Sequence, residues 1–273
     1  MRLPAVFHRL LMASLVSCSA VAPSAHAADP GEVGFVLVPG AWHVGEAWSG
    51  VVRALQARGY PAEAVTLAGH GRSVARKGVR FADSEKILLD TLARQDRPTI
   101  LVGHSAAGVL LQQAAGKTHH KLAGIVFHNA FLVPQGGSLF DALPPDIAQA
   151  FRAQAAASGD NSLPVNDAFW RQVLLAGVPQ EAASAIIAQM VPQPFAYYTH
   201  RIDASSFAAV TAPKFVLLAT DDRSLPIGAW QGMASLLGAS TAIEIPGGHE
   251  ALLTHPDAVA QGLAKIAGAV RPP

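Results

Sequence analysis

Ser105, His249 and the adjacent pair Asp221-Asp222 are the residues whose types and order could do nucleophilic chemistry. A serine hydroxyl is a weak nucleophile at neutral pH. It needs a base within hydrogen-bond reach and a third group that fixes the tautomer of that base. Ser105 sits in Gly103-His104-Ser105-Ala106-Ala107-Gly108, directly after the apolar run Thr99–Val102. A strand that turns sharply into a helix lifts such a serine clear of the sheet in a strained backbone conformation, which demands small neighbours. Gly103, Ala106, Ala107 and Gly108 meet that demand, although the usual G-x-S-x-G spacing would put glycine where this chain has Ala107 and delays it to Gly108.

His249 follows Ile243-Glu244-Ile245-Pro246-Gly247-Gly248, a short apolar run that ends in a glycine-rich turn. Asp221-Asp222 follows the run Phe215–Ala219, and Pro226 closes the loop after it. Each group therefore stands at the carboxyl end of an expected strand, where open α/β sheets bind their ligands. Spacing alone leaves either aspartate able to orient His249. An oxyanion formed at Ser105 would need backbone N–H donors. Ala106 supplies one from the turn itself, and Ala41, after Pro39 (which has no N–H) and Gly40, is the expected second. Trp42 and His104 are expected to contact substrate.

The positions of these residues require a particular scaffold. Gly34–Val38, Ala62–Leu67, Thr99–Val102, Leu122–Phe127, Lys214–Thr220 and Ala242–Ile245 read as strands. Between them, residues 48–58, 84–93, 106–115, 228–237 and 257–270 carry apolar residues at helical spacing. Alternation of this kind predicts an α/β fold, a mostly parallel sheet covered by helices on both faces. From about Phe131 to Ser206 the rhythm changes to Ala-, Gln- and Pro-rich helical pattern without strand runs, which reads as a helical lid inserted over one end of the sheet.

With 273 residues, 51% hydrophobic and 14% charged, the chain can bury one sizeable core. A formal charge of +1 predicts no nucleic-acid partner, and the substrate is expected to be a small molecule. Arg2 and Arg9, the apolar stretch Leu10 to Ala22 and the Ala25-His26-Ala27 site predict an export signal over residues 1–27, with the folded domain over 28–273 in the periplasm or outside the cell. Leu15-Val16-Ser17-Cys18 offers the alternative of a lipid anchor on Cys18, the only cysteine. No later stretch is long and apolar enough to cross a membrane.

His70, His119, His120, His128 and His255 do not fall at metal-ligand spacings with acids, so they are expected to pack or be solvated, and neither a metal nor another cofactor is expected. Gly69-His70-Gly71 lacks the Lys-Ser/Thr that would make it a phosphate loop. Trp42, Trp48, Trp170, Phe195, Tyr197 and Tyr198 read as core or lid packing, those in the first loop and the lid lining an apolar cleft.

Phe35-Val36-Leu37-Val38-Pro39-Gly40-Ala41-Trp42-His43, Val126-Phe127-His128-Asn129-Ala130-Phe131 and Thr220-Asp221-Asp222-Arg223-Ser224-Leu225-Pro226 resemble segments of the α/β-hydrolase superfamily. The resemblance spans about Val33 to Val270 and lies with the branch of plant methyl-ester esterases, hydroxynitrile lyases and bacterial pyrethroid-type carboxylesterases, Pro39 replacing a common histidine. It implies the acid four residues before the loop proline, which is Asp222. Lyases of this branch carry a threonine in the first loop and a lysine directly after the catalytic histidine, whereas this chain has Ala41 and Glu250. The resemblance therefore implies a serine carboxylesterase, with a lactonase or amidase using the same triad, or a non-catalytic binding protein on the same fold, as alternatives.

Overall fold

In the computed structural model, which describes residues 30–238 and 240–270, the strands are β1 (Gly34–Val38), β2 (Ala62–Ala64), β3 (Thr99–His104), β4 (Leu122–His128), β5 (Ser162–Leu163), β6 (Gln193–Pro194), β7 (Lys214–Ala219) and β8 (Thr241–Ile245). Six of them form one sheet in the order β2-β1-β3-β4-β7-β8, with every pair parallel. The helices are α1 (Ser49–Gln56), α2 (Phe81–Ala93), α3 (Ala107–Ala114), α4 (Pro145–Ala157), α5 (Asp167–Phe169), α6 (Gln180–Ile187), α7 (Ala196–Thr199), α8 (Ala229–Ala234), α9 (Ala251–Thr254) and α10 (Pro256–Ala267). The expected export signal and Cys18 lie outside the described residues.

Side chains alternate across a strand, so a sheet buried on both faces needs apolar residues at every position, which is what the central strands carry. Phe35, Leu37, Ile100, Val102, Val126 and Leu217 pack on one face with α1, α9 and α10. Val36, Leu101, Ile125, Phe127, Val216 and Leu218 pack on the other with α2, α3, α8 and the insertion. The strand order reverses between β1 and β3. Loops leaving those two strands must diverge there, and the crevice this opens at their carboxyl ends is the expected ligand site.

Three expectations about elements needed correction. The strand expected over Ala62–Leu67 pairs only as far as Ala64, because β1 ends at Val38 and Thr66 turns its hydroxyl to the Gly45 N–H at 2.9 Å. Helix α2 begins three residues before the expected Ser84, since the Asp83 carboxylate accepts the Arg80 N–H at 2.8 Å and caps it. The insertion, expected to be without strands, contains the antiparallel pair β5-β6. Two residues per strand, one of them Pro194, give no period to read. Among the described residues no helix is long and apolar enough to cross a membrane.

Candidate active site

Ser105 follows β3 with φ +52°, a left-handed conformation that non-glycine residues enter only when their surroundings enforce it. The enforcement is visible on both sides of the peptide. The Ser105 N–H donates to the His128 carbonyl at 3.2 Å, and the Ser105 carbonyl accepts the N–H groups of Phe131 at 3.0 Å and Gly108 at 3.1 Å. A Cβ at Gly108 would stand 2.1 Å from the Phe131 carbonyl oxygen, so this position cannot carry a side chain. Ala107 meets no such wall: its methyl sits 3.3 Å from where a Cβ on Gly103 would be. The shift of the second motif glycine from 107 to 108 thus follows from which residue backs onto the end of β4.

His249, in the turn after β8, places Nε2 3.0 Å from Ser105 Oγ and Nδ1 2.8 Å from Asp222 Oδ2. The choice between the two aspartates that spacing leaves open is decided by direction. Asp222 is buried and faces His249, whereas Asp221 is exposed and its carboxylate accepts the Gly247 N–H at 3.3 Å, pinning the turn that carries His249. Two further residues, to which the sequence reading assigned no role, complete the carboxylate. Asn129 Nδ2 donates to Asp222 Oδ2 at 2.7 Å, and the Ser224 hydroxyl and N–H donate to Oδ1 at 2.6 and 2.8 Å. Asn129 stands one residue beyond β4 with φ +38° and is held by the Ala219 N–H at 2.8 Å. Its strand-end position was the available signal.

Electrostatics follow from these contacts. Burial works against the Asp222 anion, but His249 and the two Ser224 donors outweigh it and hold the carboxyl well below the usual range. Burial likewise works against the His249 cation; Asp222, and then the nearby Glu250, overcome it and raise the imidazole above its ordinary value. A base must be neutral to take a proton, so the raised value moves the acid limb of any activity profile to higher pH. The indole of Trp230 stacks on His249 with centroids 5.6 Å apart and an interplanar angle of 17°.

His104, expected beside Trp42 at the substrate, is fully buried and does not line the cavity. It lies beneath His249, donating from Nε2 to the His249 carbonyl at 3.0 Å. Burial holds it well below the ordinary imidazole value and holds the neighbouring His128 to about 4, so both rings beside His249 are neutral. His43 Nδ1 donates to the Ala41 carbonyl at 2.7 Å, and its Nε2 lies 3.0 Å from Glu250 Oε2. That contact is close but off the hydrogen-bond line, and His43 Nε2, Glu250 Oε2 and His104 Nδ1 are all buried without a hydrogen-bond partner. The three atoms lie within 4.8 Å of one another, the His43 and Glu250 atoms at 3.0 Å.

Ala106 caps the amino end of α3 and Ala41 follows Gly40 at the end of β1. A Cβ on Gly40 would stand 3.0 Å from Ser105 Cβ, so the glycine lets the two turns touch. Above them lies a cavity of about 180 Å³. Ser105, His249 and Ser224 form its polar end, while Trp42, Phe131, Phe151, Phe169, Leu174 and Tyr198 supply much of its apolar wall. Trp42 thus lines this cavity. Tyr198 joins it from the insertion, while Trp48, Trp170, Phe195 and Tyr197 are buried outside the lining.

A profile described as the alpha/beta hydrolase family matches residues 35–262. Over 125 residues the chain is 32% identical to the carbendazim hydrolyzing esterase of Nocardioides sp., an alignment covering 43% of this chain and 51% of that protein. The chain thus spans about half the length of that relative. It is 33% identical over 103 residues to the pyrethroid hydrolase of Sphingobium wenxiniae, covering 37% of each. Among solved structures, an extracellular alpha/beta-hydrolase from a Paenibacillus species, described as sharing structural and functional homology with tobacco salicylic acid binding protein 2, superposes with a TM-score of 0.81 at 27% identity, covering 86% of this chain and 99% of that one.

Proposed function

This chain belongs to the alpha/beta hydrolase family, and from that premise we propose that it is a serine carboxylic-ester hydrolase acting through an acyl-enzyme on small or medium esters with an apolar group. The observation that carries the reading is the line Ser105 Oγ, His249, Asp222, with contacts of 3.0 and 2.8 Å, ending at the floor of an apolar cavity. In this mechanism Ser105 Oγ attacks the ester carbonyl while His249 Nε2 takes its proton, and Asp222 stabilises the imidazolium. The N–H groups of Ala41 and Ala106 receive the developing oxyanion. His249 returns the proton to the departing alcohol, and water resolves the acyl-enzyme by the same route.

Two features support the ester over other chemistries. Among the described residues, the cavity wall offers no Lys, Arg, Asp or Glu side chain to a charged substrate group. Glu250, which follows His249, contacts His43, so the position after the base carries an acid where a lyase of this branch would carry a lysine. The names of the carbendazim and pyrethroid relatives support the same class. Residues 1–27 act as the export signal in this reading, and the extracellular structural relative supports that placement.

The test is hydrolysis of p-nitrophenyl esters of graded acyl length by the wild type and Ser105→Ala. Wild-type turnover with loss of at least about 10³-fold in the variant is expected. An unchanged rate in Ser105→Ala would overturn the assignment.

A further inference from the structure

Every polar group of Trp42 is held by the insertion. Its N–H donates to Gln193 Oε1 at 3.1 Å, its carbonyl accepts the Val191 N–H at 2.9 Å, and its indole N–H donates to the Leu163 carbonyl at 3.2 Å. Trp42 has φ +64°, a conformation that costs on the order of 1–3 kcal/mol for a non-glycine and so persists only where neighbours over-determine it. The peptide held in this way is the one immediately after Ala41.

Gln193 is built for that task. It is almost fully buried in β6, and its amide has one sensible orientation. The Nε2 group donates to the Pro194 carbonyl at 3.1 Å, which turns Oε1 toward the Trp42 N–H and toward His70 Nε2 at 2.7 Å. His70 itself is buried in the turn Gly69-His70-Gly71, and its Nδ1 faces the Ala68 carbonyl at 2.9 Å. Gly69 exists as glycine for the same contact, since a Cβ there would stand 2.7 Å from Pro194 Cγ. Arg76 ties the same two segments together, donating to the Pro192 carbonyl and the Gly71 carbonyl, each at 3.0 Å. The glycine-rich turn that is no phosphate loop thus has a use: it backs the residue that grips the first loop.

The geometry points to Gln193 as a positioning residue for the oxyanion site: through the Trp42 N–H it fixes the peptide beside Ala41, so that the insertion sets the aim of one oxyanion donor as well as the shape of the cavity. This rests on the ester-hydrolase reading above. An interaction that orients a transition-state donor lowers kcat when lost and leaves ground-state binding largely alone.

The experiment compares Gln193→Met, which keeps length and removes the acceptor, with Gln193→Glu, which keeps the acceptor. Each is assayed for kcat and KM on a p-nitrophenyl ester and for affinity toward an alkyl boronic acid, which forms a tetrahedral adduct on the serine. Gln193→Met should lose about tenfold in kcat and in boronate affinity together, with KM within about twofold, while Gln193→Glu recovers most of both. Should Gln193→Met fail to fold, Gln193→Asn, which shortens the arm by one methylene, should lose in the same way. Wild-type kcat in the variant that removes or shortens the acceptor, a loss confined to KM, or a fall in kcat without a fall in boronate affinity would overturn the proposal. A wild type that hydrolyses no ester would instead sink the reading on which it rests.

Discussion

At the carboxyl edge of the sheet, Ser105, His249 and Asp222 are fixed by short polar contacts, and Asp222 alone accepts from His249, Asn129 and Ser224. Across the cavity, residues 131–206 offer Phe151, Phe169, Leu174 and Tyr198, whose contact with the cavity is apolar surface packed around Trp42 at ring separations of 5.7 to 6.3 Å for the three aromatics. Directional bonds specify where a proton and a developing charge go. Apolar contact specifies volume, and a volume can change without moving a proton. The edge and the apolar wall of the insertion should therefore respond differently to substitution, the edge in turnover and the wall in selectivity.

The sharpest difference is expected within the edge itself. Asp222→Asn should lower kcat by about 10⁴-fold if the fold survives, because the amide favours the wrong tautomer of His249. Asp221→Asn should cost less than about tenfold, since that carboxylate only braces the Gly247 turn at 3.3 Å. Greater damage from Asp221→Asn would reverse the assignment. A smaller effect of another kind is expected from Phe169→Ala in the insertion. Recognition in an apolar pocket changes by about 1–3 kcal/mol per methylene, or about tenfold to two-hundredfold, so removing this wall should shift preference toward bulkier esters by at least about tenfold while kcat on the shortest ester stays within about threefold. A fall in kcat on all esters alike would show that this wall, too, orients the reacting groups.

The same contrast explains what could be read before the structure. Strands β1, β3, β4 and β7 are apolar at nearly every position because both faces are covered, and that signal needs no knowledge of partners. The positions of Ser105 and Asp222 follow from where β3 and β7 stop, and that of His249 from the glycine-rich turn after β8. Asn129 was legible by the same rule but carried no distinguishing residue type, and Ser224 is an ordinary loop serine until Asp222 is seen beside it. His104 was misplaced because its neighbour Ser105 reaches the cavity; successive residues at a strand end point to opposite sides, and His104 points into the packing beneath His249. Gln193 had no local signal at all. Its partners, Trp42 and His70, are 151 and 123 residues away, and the two-residue strand that carries it has no period.

If Ser105 is the activated nucleophile of this edge, an electrophile that mimics the tetrahedral intermediate should react with it selectively. Incubation with an alkyl p-nitrophenyl organophosphonate, followed by peptide mass analysis, tests it directly. One phosphonyl adduct per chain on Ser105, abolished in Ser105→Ala and lost in parallel with ester hydrolysis, is the expected result. An adduct on another residue, or full hydrolytic activity without an adduct, would contradict it.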